Sequence, residues 1–324
     1  MALKADYSPP LFHRHVHFST IIPNRFRKIR SLTYQRQTLN TPDGDFIDLD
    51  VSSIGSTGCL LLLHGLEGSS QSTYMKGLAK YANDQGFDAV AMNHRSCSGK
   101  PNNLAISYHS GKTDDVAAVV QALSATYESI HIVGFSLGGN MALKLAGEWA
   151  QAHPKQVKSV VGVSVPCDLA SSALKLGLAE NRIYLWRFLS QLKAKARAKA
   201  LRFPDANLDL KLIKQSDTFK AFDDAYTAPA HGFQSAADYY EKCSSKAFIP
   251  NIEPPTLIIN AKNDSFLSPS CYPINEVNEN PNVGLLMPTF GGHVGFASDF
   301  MMNEAFWSEI QIMDFIASIS KPKD

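Results

Sequence analysis

The chain has 324 residues, of which 44% are hydrophobic and 19% charged, and its formal net charge is +1. That is the composition of a globular protein with ample core, and it excludes disordered and fibrous classes. A charge so near zero supplies no global field for nucleic acid or for an acidic substrate, so no nucleic-acid partner is expected. The five cysteines, Cys59, Cys97, Cys167, Cys243 and Cys271, are scattered, odd in number and without a C-x-x-C pair. They argue against a disulfide framework or a zinc site and for a reducing compartment. No basic-then-apolar leader opens the chain, and its apolar runs are too short to span a bilayer, so a soluble, cytoplasmic protein is expected.

Residues 1–33 mix prolines, histidines and arginines without a clear period and read as an arm over the domain. His13, His15 and His17 alternate and would share a face if that segment were extended, which makes a metal site conceivable. No cysteine or carboxylate joins them nearby, and no metal or cofactor is expected. Residues 34–40 and 46–51 read as a hairpin across Pro42-Asp-Gly-Asp45. The run Cys59-Leu-Leu-Leu-Leu63 reads as a strand buried on both faces. A helix follows from Ser72 to Asp84, stopped by Gly86. Asp88–Asn93 is the next strand. Thr113 can cap a helix whose first turn holds Asp114 and Asp115. The strand Ile130–Val133 leads into a helix from Leu137 to about Gln151, and then into the strand Val157–Val163. Residues 167–250 interrupt the alternation with helical sequence. Thr256–Asn260 and Val283–Met287 resume it, and a helix over Glu304–Ile319 closes the chain. Strand and helix alternating in this order predict a mostly parallel sheet of about eight strands with helices on both faces.

The chemistry concentrates at Gly134-Phe-Ser-Leu-Gly138, a G-x-S-x-G match set between a strand and a helix. In that context the pattern specifies a turn so sharp that the serine backbone is strained and its hydroxyl stands clear of the sheet. A serine hydroxyl needs a base to take its proton and an acid to orient that base. His293 lies in Gly291-Gly-His-Val-Gly-Phe296, after the last strand, and Asp264 lies directly after the preceding one. The order Ser136, Asp264, His293 is that of a nucleophile-elbow hydrolase, with catalytic groups at the carboxyl ends of parallel strands. Asp168, after the Val157 strand, is the alternative acid and otherwise reads as a helix N-cap. An oxyanion hole needs two backbone N–H donors. Leu137 supplies one, and the loop after the Cys59 strand supplies the other, assigned to Leu66.

Seven segments then carry a family resemblance: Thr41-Pro-Asp-Gly-Asp-Phe46, Leu63-His-Gly-Leu-Glu-Gly-Ser-Ser70, Asn93-His-Arg95, Tyr108-His-Ser-Gly111, Gly134-Phe-Ser-Leu-Gly-Gly-Asn140, Asp238-Tyr-Tyr240 and Gly291-Gly-His293. Together the chain resembles the YheT-like branch of the α/β-hydrolases, related to the ABHD phospholipase-type enzymes. The resemblance implies an α/β-hydrolase core formed by residues 1–166 and 251–324, with 167–250 as a helical cap. It also implies a Ser136–Asp264–His293 triad and carboxylester hydrolysis, with a small acyl ester or a lipid as substrate. Ser96 departs from the pattern, which leads one to expect glycine after Asn93-His-Arg95. The alternatives kept open are acyl transfer by the same triad and a non-catalytic binding protein on the hydrolase fold. In the cap, Ile183, Trp186, Leu189 and Leu192 are expected on one side of a helix over 181–202, with Trp186 facing the acyl chain. The cations Lys193, Lys195, Arg197, Lys199 and Arg202 read as a solvated surface, or as one attracted transiently to anionic membrane headgroups. Oligomeric state is not readable from the sequence.

Overall fold

In the computed structural model, residues 2–320 are described apart from Lys4 and Asn207. The strands are β1 (Ala2–Leu3), β2 (Gln35–Asn40), β3 (Phe46–Ser52), β4 (Gly58–Leu63), β5 (Asp88–Asn93), β6 (Ser129–Phe135), β7 (Val157–Val163), β8 (Thr256–Ile259) and β9 (Val283–Leu286). They form one sheet in the order β1-β9-β8-β7-β6-β4-β5-β3-β2. From β1 to β5 every neighbour is parallel, whereas β3 runs antiparallel to β5 and β2 antiparallel to β3. The two-residue β1 lies beyond the roughly eight strands read from the sequence; so short a strand has no periodicity to betray it.

The burial of β4 shows why its sequence is a continuous apolar run. Cys59, Leu61 and Leu63 enter one core cluster and Leu60 and Leu62 the other, because successive side chains leave a strand on opposite faces. The Thr113–Leu123 and Leu137–Trp149 helices cover the first face through Val116, Val120, Met141 and Leu145. The Thr73–Asp84 and Trp307–Ser320 helices cover the second through Met75, Leu78, Ile312 and Ile316. Each such fully buried side chain contributes about 1.5–3 kcal/mol.

Two local expectations change. The N-terminal segment is not an extended arm: a 3-10 turn spans Leu11–Arg14 and an α-helix spans Val16–Phe26. His13, His15 and His17 therefore do not align. His13 is buried in the turn, while His17 Nδ1 sits 3.1 Å from the Tyr184 hydroxyl. Among the described residues no three His, Cys, Asp or Glu side chains converge as a metal site. Thr113 is the first residue of its helix rather than the cap, since its hydroxyl donates to Glu148 Oε2 at 2.6 Å. Asp115 does more than face the helix dipole: it grips Arg95 Nε at 2.8 Å and Nη2 at 2.6 Å, and Arg95 also reaches Asp43 and Asp45 of the β2–β3 turn. Ser96, where glycine was expected, adopts the left-handed conformation (φ 65°) all the same, with its N–H held by Asn102 Oδ1.

Among the described residues between β7 and β8 there is no strand. Its helices include Leu169–Leu176, Arg182–Arg202, Leu210–Gln215 and Ala236–Cys243. They carry apolar clusters of their own, built around Tyr184, Leu189, Phe219 and Phe222 and around Leu169, Tyr239 and Tyr240. No described helix is long and apolar enough to cross a membrane.

Candidate active site

Ser136 stands at the end of β6 with φ 52° and ψ −118°. That conformation costs a non-glycine residue on the order of 1–3 kcal/mol. Its neighbours show why the turn needs glycine. A Cβ on Gly134 would lie 2.2 Å from Gly138 O, and one on Gly138 would lie 2.4 Å from Leu63 O. The turn is pinned on either side: Ser136 N–H donates to Val163 O of β7 at 2.8 Å, and Ser136 O accepts from Asn140 N–H at 3.0 Å.

Asp264 and His293 follow β8 and β9, and the fold brings both to the serine. His293 Nε2 is 2.9 Å from Ser136 Oγ, and His293 Nδ1 is 2.8 Å from Asp264 Oδ2. A carboxylate accepts only, so Nδ1 carries the proton and Nε2 is left to accept the serine hydroxyl. The second oxygen of Asp264 accepts the Phe266 N–H at 2.9 Å, and the Phe266 ring stacks on the imidazole at 4.2 Å between centroids. Asp264 and His293 are both buried, whereas Ser136 is half-buried. The geometry places the two candidate acids differently. Asp168 caps the Leu169–Leu176 helix, its carboxylate accepting the Ser171 N–H at 3.1 Å, and the acid that meets His293 is Asp264.

The histidine loop is itself strained. Val294 (φ 58°) and Phe296 (φ 47°) adopt left-handed conformations that bulky and β-branched side chains resist. Side chains from elsewhere hold it. The Thr20 hydroxyl accepts the His293 N–H at 2.9 Å, Ser164 Oγ accepts the Val294 N–H at 3.0 Å, and Asn263 Oδ1 accepts the Gly292 N–H at 3.0 Å. None of these was singled out from the sequence. A lone Ser or Thr carries no pattern, and Thr20 lies 273 positions from its partner.

Leu66 and Leu137 border the same cavity as Ser136 and His293. In the 65–68 loop, Gly65 N–H donates to the Tyr74 hydroxyl, Glu67 N–H to the Tyr108 hydroxyl and Gly68 N–H to Gly65 O, at 2.9–3.0 Å. The Leu66 N–H is the loop donor with no protein acceptor among the described residues.

The cavity encloses about 130 Å³. Its apolar wall comes largely from the 167–250 segment, through Leu169, Leu176, Phe188, Leu192, Phe219 and Phe222. Trp186 is not part of it. Trp186 and Ile183 are 71% and 73% exposed, and Leu189 is buried. The expected one-sided stripe fails because a strict spacing of three residues drifts about 60° per step round an α-helix. The inward stripe runs Tyr184, Phe188, Leu192, Lys195, Lys199 instead, with spacings of four, four, three and four. Two of the five cations expected at the surface therefore turn inward. Lys199 Nζ donates to the carbonyls of Leu104, Ala105 and Ile106 at 2.7–3.2 Å, and Lys195 Nζ donates to Glu67 Oε1 at 3.0 Å.

A strand-to-helix serine turn, meeting a histidine and an aspartate from the next strand ends of a mostly parallel sheet, defines the α/β-hydrolase class. A family model described as the alpha/beta hydrolase fold matches residues 58–297, and the chain belongs to that family. It is 34% identical to YheT of Escherichia coli (strain K12), over 98% of this chain and 95% of that protein. It is 23% identical to phospholipase ABHD3 of Homo sapiens, over 88% of this chain and 72% of that protein. Among solved structures, the esterase PF2001 of Pyrococcus furiosus has the same fold, with a TM-score of 0.62 at 16% identity, covering 90% of this chain and 92% of that one.

Proposed function

We propose that this protein is a serine hydrolase that cleaves carboxylic esters through an acyl-enzyme. The observation that carries the reading is the unbroken chain of hydrogen bonds from Ser136 Oγ through His293 to Asp264. His293 Nε2 takes the hydroxyl proton as Oγ adds to the ester carbonyl carbon, and the carbonyl electron pair becomes an oxyanion. The N–H groups of Leu66 and Leu137 receive that oxyanion. On its collapse the alcohol leaves with the proton from His293, and a water repeats the sequence to release the acid and restore Ser136. Asp264 keeps the proton on Nδ1 and stabilises the imidazolium. No cofactor takes part.

Residues 167–250 act as a cap over this site, and the apolar wall they supply fits an acyl chain. The phospholipase among the relatives supports a lipid-like substrate, as does the apolar character of the wall. The test is a p-nitrophenyl ester series on wild type and Ser136→Ala, together with labelling by a fluorophosphonate probe. Wild type should turn over the esters and carry the label on Ser136. Ser136→Ala and His293→Ala should each lose on the order of 10⁴-fold or more in kcat, because these groups act as a unit. Wild-type turnover by Ser136→Ala would disprove the assignment.

A further inference from the structure

The 65–68 loop is held by an arrangement that the triad does not require. Glu67 adopts a left-handed backbone (φ 54°), and its side chain is only 3% exposed. Tyr108 grips it twice: the Tyr108 hydroxyl accepts the Glu67 N–H at 2.9 Å and donates to Glu67 Oε1 at 2.7 Å. From the Arg182–Arg202 helix, Lys195 Nζ donates to that same Oε1 at 3.0 Å and to Cys97 Sγ at 3.2 Å, and it lies 5.6 Å from the centre of the Tyr108 ring. The Tyr108 ring in turn stacks on His94 at 5.4 Å, and His94 is bonded to His64, the residue that opens the loop. Glu67, Tyr108 and Lys195 all border the cavity that contains Ser136.

A buried carboxylate next to Leu66 poses an electrostatic problem. Negative charge develops on the substrate oxygen during acylation, and an unneutralised carboxylate nearby would oppose it. A left-handed glutamate also needs its surroundings to hold it there. We propose that Lys195 and Tyr108 are positioning residues for the oxyanion hole: they fix Glu67 so that the Leu66 N–H is presented to the reacting carbonyl, and Lys195 neutralises the Glu67 carboxylate beside it. A residue of the cap thus completes a hole built by the core, and the site is competent only while the cap is seated. This inference rests on the ester-hydrolase reading above.

The experiment compares wild type with Lys195→Met, Tyr108→Phe, Glu67→Gln and the double variant Lys195→Met/Glu67→Gln. Each is assayed for kcat and KM on a short p-nitrophenyl ester, and for inhibition by an alkyl trifluoromethyl ketone. In that inhibitor Ser136 Oγ adds to the ketone carbon, the proton passes to His293, and the carbonyl pair becomes an oxyanion that samples the hole without turnover. Lys195→Met should lower kcat about tenfold, short of the 10²–10³ of losing an oxyanion donor outright. KM should stay within about twofold, and ketone inhibition should weaken by the same factor as kcat. Removing the stranded carboxylate in the double variant should recover most of both losses. Should Lys195→Met fold poorly, Tyr108→Phe loosens the same grip with no change of charge and should show the same parallel loss in kcat and ketone affinity. A rise in KM with ketone affinity unchanged, or a double variant no better than Lys195→Met, would overturn the proposal and leave Lys195 a substrate contact. A wild type that neither turns over the ester nor binds the ketone would instead overturn the hydrolase reading, so the two failures are distinguishable.

Discussion

His293 makes its two decisive contacts through different ring nitrogens, and only the contact at Nδ1 separates the two candidate acids. Replacing Asp264 by Asn offers an amide that can donate to Nδ1 and so stabilise the wrong tautomer, and the loss in kcat should be on the order of 10⁴. Asp168→Asn should leave kcat near wild type, because that side chain serves the Ser171 N–H. Asp168→Ala should lower unfolding stability by about 1 kcal/mol, as the loss of an N-cap does. Parallel kinetics and urea denaturation of the variants check both statements. A second carboxyl at the cavity wall, Asp223, lies outside the proposed chemistry. Burial raises it from its ordinary value to about 6, although hydroxyl bonds from Thr227 and Tyr240 pull the other way. The folded state therefore keeps this proton after the unfolded chain has lost it. The stability it contributes is present below about pH 4 and is lost as pH rises to 6. The melting temperature of wild type relative to Asp223→Asn should fall across that window. A constant difference would refute the assignment.

At the scale of the element, the Arg182–Arg202 helix sets which of its side chains line the cavity. Its inward positions are Phe188 and Leu192, while Trp186 faces outward. Phe188→Ala should change the ratio of kcat/KM for long against short acyl esters by about tenfold, the scale of a hydrophobic pocket contact. Trp186→Ala should leave that ratio unchanged. Measuring the ester series on both variants checks this, and a shift at Trp186 alone would reverse the orientation assigned to the helix. The inward stripe was present in the sequence at spacings of three and four, but two of its five members are lysines. Periodicity of apolar residues alone passes over them, because a long cation can line an interior once its ammonium finds carbonyl or carboxylate acceptors.

Across the whole molecule, the two ends of the chain are fastened together around the site. Arg27, just beyond the N-terminal helix, grips Glu309 of the last helix through Nη1–Oε1 at 2.5 Å and Nη2–Oε2 at 2.8 Å, and its guanidinium lies over the Phe306 ring at 3.6 Å. The same N-terminal helix carries Thr20, which holds the His293 N–H. Glu309→Ala strands a buried guanidinium and should cost about 3–5 kcal/mol. Its effect should extend to the histidine loop, lowering kcat at temperatures well below the variant's melting point. Calorimetry and kcat at 25 °C would show both losses. Stability lost with kcat intact would mean that the helix holds the fold and leaves the histidine loop to its other partners.

The sequence by itself determined what is local or strictly ordered along the chain. The elbow was legible because only glycine tolerates the approach of backbone at positions 134 and 138. The strands β3 to β9 were legible because burial on both faces, or alternation, leaves a pattern of apolar residues, and β2 because the turn chemistry of Pro42-Asp-Gly-Asp45 pairs it with β3. The residues proposed as acid and base were legible as candidates because strands of a parallel sheet deliver the residues after them to one edge. Tertiary structure alone separated Asp168 from Asp264, since both follow strands and only Asp264 lies within hydrogen-bond distance of His293. It alone turned the N-terminal arm into a helix behind the histidine loop, set Trp186 outside the cavity and brought Lys195 onto Glu67, 128 positions away in the chain. Those contacts join single side chains across the fold, and a single polar residue meeting another at long range leaves no periodicity to read.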